Sequence, residues 1–337
     1  MKISKRFSYL FLFVIGTSNA QDNINELLAA GVADTQRFAE HYIAPATEGL
    51  VYGISNGWFN TAKSPRRFGF EISIIGNTSF IKDEKKSFNM VASDFENIRF
   101  QDNSSSKVVP TVFGASSSET IILTYDDPVF GSQEVSVALP GGIGSSETTF
   151  IPTVFLQASF SPLKGTQIKA RVVPKLAYQD AELNAYGFGI QQNLISWLPA
   201  NKVVPVAISA VIAYTHLDGV YDFTSSDIVA GENQRMTLDV NSMLYQLVVG
   251  TKLKIINFYG SVGLIQGKTT TELLGRYKII NGSVSSDDII NPISITNKIS
   301  GMRTTLGTSL KLGFFGINAD YTIAEYDSAS LGINFGF

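Results

Sequence analysis

The sequence predicts an all-β fold: an antiparallel transmembrane β-barrel preceded by a helical N-terminal segment. Three observations carry this. From Phe68 to the C-terminus, apolar residues alternate with Gly, Ser, Thr, Asn and Gln at a period of two, the repeat of a strand with two unlike faces. Charged residues make up only 16% of the 337-residue chain, against about 25% in soluble domains. After residue 21 no apolar run approaches the roughly 20 residues of a membrane helix. In a soluble sandwich the second face would carry solvated charge. A wall with lipid on one side and a narrow polar lumen on the other needs what this chain supplies.

Composition also bounds the chemistry. There is no Cys and there are only two His, which excludes a disulfide scaffold, a thiolate metal site and a catalytic Cys. The formal charge of −3 exerts no general pull on nucleic acid. No cofactor is expected.

Taken in order, residues 1–20 read as a signal peptide. Lys2, Lys5 and Arg6 precede an apolar stretch from Phe7 to Gly16, and Ser18-Asn19-Ala20 places cleavage after Ala20. Residues 21–67 form a helical segment and candidate plug. Its helix spans 24–43, in one piece or two with a bend at Gly31, capped by Asn23 with Glu26 three residues on and stopped by Pro45. Leu27, Leu28, Val32, Phe38 and Tyr42, with Ile24, Ala39 and Ile43, make its apolar stripe.

The barrel is expected over residues 68–337. Spans fall at 68–81, 150–161, 166–179, 184–194, 203–220, 236–252, 255–270, 300–313, 315–326 and 328–337. With the C-terminus on the inner side, Gly313-Phe314, 161–165 and 196–199 become tight inner turns. Residues 82–149, 221–235 and 281–299 become external loops. Residues 82–149 form one large loop or supply further spans. The expected total is roughly ten to fourteen strands, with twelve or fourteen favoured because residues 21–67 need room in the lumen.

Inward phase assigns Glu71, Lys169, Arg171, Lys175, Glu272, Arg276, Arg303, Lys311 and Asp320 to the lumen. Such charges pair and stiffen the wall, or set selectivity around an open pore. Other motifs are weak. Gly53-Ile54-Ser55-Asn56-Gly57 matches a nucleophile elbow but lacks its strand and helix, and reads as a turn in the plug. Ser161-Pro162-Leu163-Lys164 and Gly267-Lys268-Thr269 also read as turns. Asp126-Asp127 and Asp287-Asp288 read as solvated loop acids, with Ca²⁺ binding the rarer role. His216 has the outward phase near the outer rim, where an interfacial role is usual. His41 lies on the polar side of the helix.

The closing Leu331-Gly332-Ile333-Asn334-Phe335-Gly336-Phe337 resembles the terminal-aromatic signal read by outer-membrane assembly machinery, through Leu331, Ile333, Phe335 and Phe337. Pro45-Ala46, the run from Gly57 to Lys63, and Leu139-Pro140-Gly141-Gly142-Ile143-Gly144 resemble an uncharacterised family of Gram-negative outer-membrane β-barrels. The layout of a helical hatch before a barrel is distantly similar to the long-chain fatty-acid and hydrocarbon transporters. The resemblance implies an outer-membrane location, with membrane lipid and the barrel assembly machinery as partners. Passive or gated transport of small hydrophobic solutes is the expected work, with such a solute as ligand. The alternative is a structural or surface-interaction barrel, and a lipid hydrolase ranks below both.

Overall fold

The computed structural model describes residues 28, 31–63, 66–117, 119–127, 130–146, 149–178, 180–196, 205–222, 231–277, 280–281, 284–285 and 289–336. The signal-peptide reading, Leu27, the Asn23 cap, Asp287-Asp288 and Phe337 lie outside the described residues. Ten antiparallel strands close into a barrel. They are β1 (Phe70–Phe80), β2 (Phe150–Leu163), β3 (Thr166–Tyr178), β4 (Ala181–Asn193) and β5 (Val206–Asp222). There follow β6 (Gly231–Thr251), β7 (Ile256–Tyr277), β8 (Ile293–Leu312), β9 (Phe315–Ile323) and β10 (Ser328–Gly336). Each strand pairs with the next, and β1 closes the ring, with Ile74 opposite Ile333 of β10 and Leu156 of β2. Ile289–Ile290 adds a short strand to β7 outside the ring.

Alternation in the sequence becomes alternation of environment. Ile74, Leu156, Phe188, Ile212, Leu264, Leu306 and Ile323 are exposed on the outer face, while Ser73, Gln157, Gln191, Ser209 and Thr305 are buried on the inner one. This inverts a soluble protein, and a contiguous apolar exterior of this extent requires lipid or a partner to cover it. Among the described residues no helix is long and apolar enough to cross a membrane; a closed strand ring satisfies its backbone without one. The exposed Leu331 and Ile333 belong to this outer band, as does the partly buried Phe335.

Three expectations need correction. The ring has ten strands, not twelve or fourteen. Room inside comes from wall glycines: a Cβ on Gly189 would meet the Trp58 ring at 2.8 Å, and Gly187, Gly267 and Gly301 similarly leave space for Trp58, Val51 and Tyr52. Residues 82–149 form one long connection, the first of the two alternatives, and add no span. They form a cap of two small sheets, one pairing Ser87–Val91 with Ser106–Pro110, the other joining Ile98–Phe100, Thr120–Asp127 and Gly131–Ala138. Strands β6, β7 and β8 run to 21, 22 and 20 residues, absorbing parts of the loops expected at 221–235 and 281–299. Gly267-Lys268-Thr269 therefore lies mid-strand rather than in a turn.

The third correction concerns the helix. Helix α1 starts after Gly31, whose φ is 108°, and runs from Val32 to Ile54 with Pro45 inside it rather than stopping there. Proline removes one hydrogen bond and crowds the preceding turn. Burial of Leu50, Val51, Tyr52 and Ile54 beyond it outweighs that cost, as tertiary packing commonly overrides propensity. At about 1.5 Å per residue, the 23-residue helix reaches from the cap into the barrel.

Candidate functional site: a filled lumen and a parted wall

The upper part of α1 belongs to the cap. Phe38 joins a core with Met90, Phe95, Ile98, Phe100, Ile121 and Leu123, with Tyr42 packed against it. The Tyr42 hydroxyl donates to Gly141 O at 2.8 Å. The Asp34 carboxylate accepts the N–H groups of Glu96 and Asn97 at 3.0 and 2.7 Å. Leu28 packs on Leu273, Tyr277, Ile293 and Ile295, where β7 and β8 rise beyond the ring's shorter strands, and Val32 is half-buried. Of the expected stripe, Phe38 and Tyr42 thus dock the cap and Leu28 the risen ends of β7 and β8, while the helix continues past Pro45 and its lower turns do the filling.

Those lower turns and the chain after them occupy the lumen. Leu50, Val51, Tyr52 and Ile54 pack on inward Phe155, Leu217, Val240 and Ile265. Trp58, Phe59 and Ala62 pack on Val211, Ala213, Leu244 and Tyr259. The extended piece from Asn56 to Lys63 has no secondary-structure partner, so wall side chains satisfy its carbonyls, as buried backbone requires. Gln191 Nε2 donates to Thr61 O at 2.7 Å, and Asn193 Nδ2 and Ser209 Oγ donate to Ala62 O at 3.0 and 2.6 Å.

Three buried wall cations hold the end of the helix. The Arg171 guanidinium donates to Asn56 O at 2.8 Å and also to Ile54 O and Thr215 Oγ1. It lies 3.9 Å from the Trp58 ring centre and 4.3 Å from that of Phe155. Arg303 donates to Ser55 O, to Asn56 Oδ1 and to Thr322 Oγ1. Lys169 Nζ donates to Trp58 O at 2.6 Å. A helix C-terminus carries negative partial charge and unsatisfied carbonyls, so cations there neutralise both. Periodicity put these three on the inner face but could not say that they face the helix end rather than water or each other.

The remaining lumen candidates divide. Glu71 accepts from Asn60 Nδ2 at 3.0 Å, and Asp320 accepts from the Tyr259 hydroxyl at 2.9 Å; both are inward. Lys311 has the inward phase but sits exposed at the lower mouth, beside Lys63 and Glu71. Lys175, Glu272 and Arg276 are not in the lumen. The register of β3 shifts between Val173 and Leu176, which turns Lys175 out to an ion pair with Glu182 at 2.8 Å. On β7 the buried inner phase is that of Thr269, Thr271 and Leu273. Glu272 and Arg276 therefore face outward, the first near Ser294 Oγ at 3.3 Å, the second 3.9 Å from Glu232.

Beside this shift the wall parts. Strands β2 and β3 pair from Leu163 and Thr166 only as far as Leu156 and Val172. Above that, residues 150–155 pair with β1 alone and 173–178 with β4 alone. Pro174 lies in the shifted stretch of β3 and Pro152 in the part of β2 that pairs with β1 alone; a proline cannot donate to a ladder. Between the parted strands lies a cavity of about 120 Å³, lined by Leu50, Phe155, Val173, Leu183, Leu217 and Leu238 among others and bordered by the exposed Val154 and Leu176. It joins Leu50 of the helix to the outer surface of the ring.

Other candidates are explained locally. Ser55 Oγ donates to Val51 O at 2.7 Å and lies 2.5 Å from Ser242 Oγ, a turn after the helix. His41 is exposed and stacks on Phe88. Among the described residues, His216, Asp218 and Asp239 are the group whose ligand atoms converge enough for a metal. They are already bonded, His216 to Asp218 at 2.9 Å and to Asn241 at 3.0 Å. The side chains of Asp126 and Asp127 lie outside the described residues.

A closed antiparallel ring with an apolar exterior and a lumen filled by the chain's own N-terminal segment defines a β-barrel of the membrane type. All of residues 1–337 match one family, described as Family of unknown function (DUF6588), and the chain belongs to it. No curated protein sequence matches the chain. Among solved structures it is similar to Ail, the attachment invasion locus protein of Yersinia pestis, at TM-score 0.27 and 9% identity over 80% of this chain and 99% of that one. It is also similar to the outer membrane protease OmpT of Escherichia coli, at 0.32 and 7% over 81% and 98%. The P. putida toluene transporter TodX matches at 0.27 and 11% over 81% and 67%. Likeness at this level carries no argument about function, which rests on the residues themselves.

Proposed function

We propose that this protein is an outer-membrane β-barrel that passes small hydrophobic solutes sideways between its lumen and the membrane, with residues 31–63 as the plug. The observation that carries the proposal is the apolar cavity of about 120 Å³ at the parted β2–β3 wall. A dry cavity near 150 Å³ accepts a benzene ring, so the occupant is a single ring or a short chain. A route through the wall delivers such a solute into hydrocarbon, where it is soluble, and avoids the three cations around the helix end. No covalent step is involved. The location follows from strands that cross as a closed ring, the architecture of outer-membrane barrels.

The test is uptake of a radiolabelled monocyclic aromatic by liposomes containing the barrel. Leu176→Arg places a charge at the mouth of the cavity and should cut uptake at least tenfold while the folded mobility on unboiled gels persists. Uptake equal to wild type would sink the lateral route. A surface-interaction role is the second reading, favoured by Val108 and Phe130 of the cap, exposed at 68% and 74%. A barrel that binds no hydrophobic solute, yet loses retention on host cells or neighbouring barrels when Phe130 becomes Ser, would favour it.

A further inference from the structure

On the outer face, Lys268 of β7 and Lys298 of β8 stand directly opposite each other in register. Both are exposed, and the strands that carry them are about 5 Å apart. Like charges directly opposed on a sheet are destabilising. Among the described residues neither ammonium has a hydrogen bond or ion pair. The nearest acids on the same face are engaged elsewhere. Asp239, opposite Thr270, accepts from Asn241 Nδ2 and lies 3.9 Å from His216, and Glu272 is bonded to Ser294.

The surface beneath the pair changes in a definite order. Leu264 and Met302 oppose each other four residues down each strand, exposed at 50% and 77% in the apolar band. Between them and the lysines lies a shallow groove of about 370 Å³, bordered by Tyr214, Met243, Gln266, Ser300 and the two lysines. Its walls are mostly apolar below and cationic above. An amphiphile with an acyl chain and an anionic head has that same order, and two ammoniums on adjacent strands can share the oxygens of one phosphate.

We propose that Lys268, Lys298 and the groove below them bind a phosphate-bearing lipid of the outer leaflet, the phosphate between the ammoniums and an acyl chain in the groove. The proposal rests on the barrel spanning a membrane with its tight turns inward, and it is independent of solute passage. It accounts for two lysines that nothing within the described chain neutralises.

The test uses the full chain folded in detergent, with lipid A, a bis-phosphorylated acylated disaccharide, as the probe and native mass spectrometry as the readout. Lys268→Gln with Lys298→Gln should weaken lipid A binding at least tenfold, whereas Lys268→Arg with Lys298→Arg should restore it. Lys254→Gln, at the opposite rim, should leave it unchanged. Dephosphorylated lipid A should bind wild type and the Gln pair equally weakly, and millimolar inorganic phosphate should not displace the lipid. Equal lipid A affinity in wild type and the Gln pair would overturn the proposal. Displacement by inorganic phosphate would also overturn it, by showing an anion site with no acyl requirement. Aromatic uptake measured on the same Gln pair stays at wild-type level, so failure here is distinguishable from failure of the transport reading.

Discussion

Replacing Arg171 by Met is the most direct way to ask whether the lumen segment is latched. Methionine keeps most of the side-chain length and the contact with Trp58 while removing the charge and its donors. The carbonyls of Ile54 and Asn56 then lose charge-assisted donors, each worth about 1.5–3 kcal/mol. The gain on the other side is relief of a fully buried cation, a penalty of several kcal/mol in an unpartnered state. The aromatic contacts at 3.9 and 4.3 Å add about 1–2 kcal/mol to the wild type. The net is a loss of about 2–4 kcal/mol of plug attachment, or roughly 30- to 1,000-fold in the ratio of released to seated plug. Single-channel recording in planar bilayers reads this as open time. Wild type should show rare openings; Arg171→Met should open often, and a double variant with Arg303→Met oftener still. Protease added to barrels in liposomes should cut within residues 31–62 of the variant faster in proportion. If both variants conduct like wild type while keeping their folded mobility, the cations do not hold the plug and the latch argument fails.

Gly189→Val tests the room inside the ring. Its Cβ would meet the Trp58 ring at 2.8 Å, and overpacking of this kind costs about 1–3 kcal/mol, so Trp58 emission should shift red as the segment is pushed out; an unshifted spectrum counts against the packing. Asp34→Ala leaves the Glu96 and Asn97 N–H groups without their acceptor, at about 1–3 kcal/mol, and faster hydrogen exchange should appear in the cap while the barrel strands keep their protection. At the upper rim Lys85 bridges Glu325 at 2.6 Å and Glu48 at 3.4 Å. Burial alone would lower its ammonium, but the two carboxylates hold it above the ordinary lysine value. A raised folded value stabilises below the unfolded pKa and is lost as pH rises through the folded one. Attachment of α1 to the rim should therefore weaken only above about pH 10.4, and Lys85→Met should abolish that alkaline step in hydrogen exchange of residues 44–50.

Much of the fold was legible because a barrel wall writes its pattern locally. Alternation from Phe68 to Phe335 placed every one of the ten strands of the ring, and parity placed the tight turn at Gly313 on one side and the long connection 82–149 on the other. Strand ends were less legible. Where β7 and β8 rise past the ring, residues 271–277 and 293–299 carry Thr, Glu and Asn that read as loop, because an extension in water no longer needs a lipid-facing side. Phase misplaced Lys175 for a different reason: one register shift beside Pro174 reverses every side chain beyond it.

The sequence by itself determined the architecture, since scarce charge and a period-two alternation of apolar with small polar residues are compatible with few structures other than a closed strand ring with an apolar exterior. Tertiary structure alone decided the strand number, the part of residues 31–63 that fills the lumen, and what the inner cations hold. Those are questions of volume and of meetings between distant residues. Gly187, Gly189, Gly267 and Gly301 read as weak strand residues until Trp58, Val51 and Tyr52 are set against them. Arg171, Arg303 and Lys169 read as a pore lining until the end of α1 is brought among them. Nothing local records either meeting, because the partners lie more than a hundred residues apart and come together only when the ring closes.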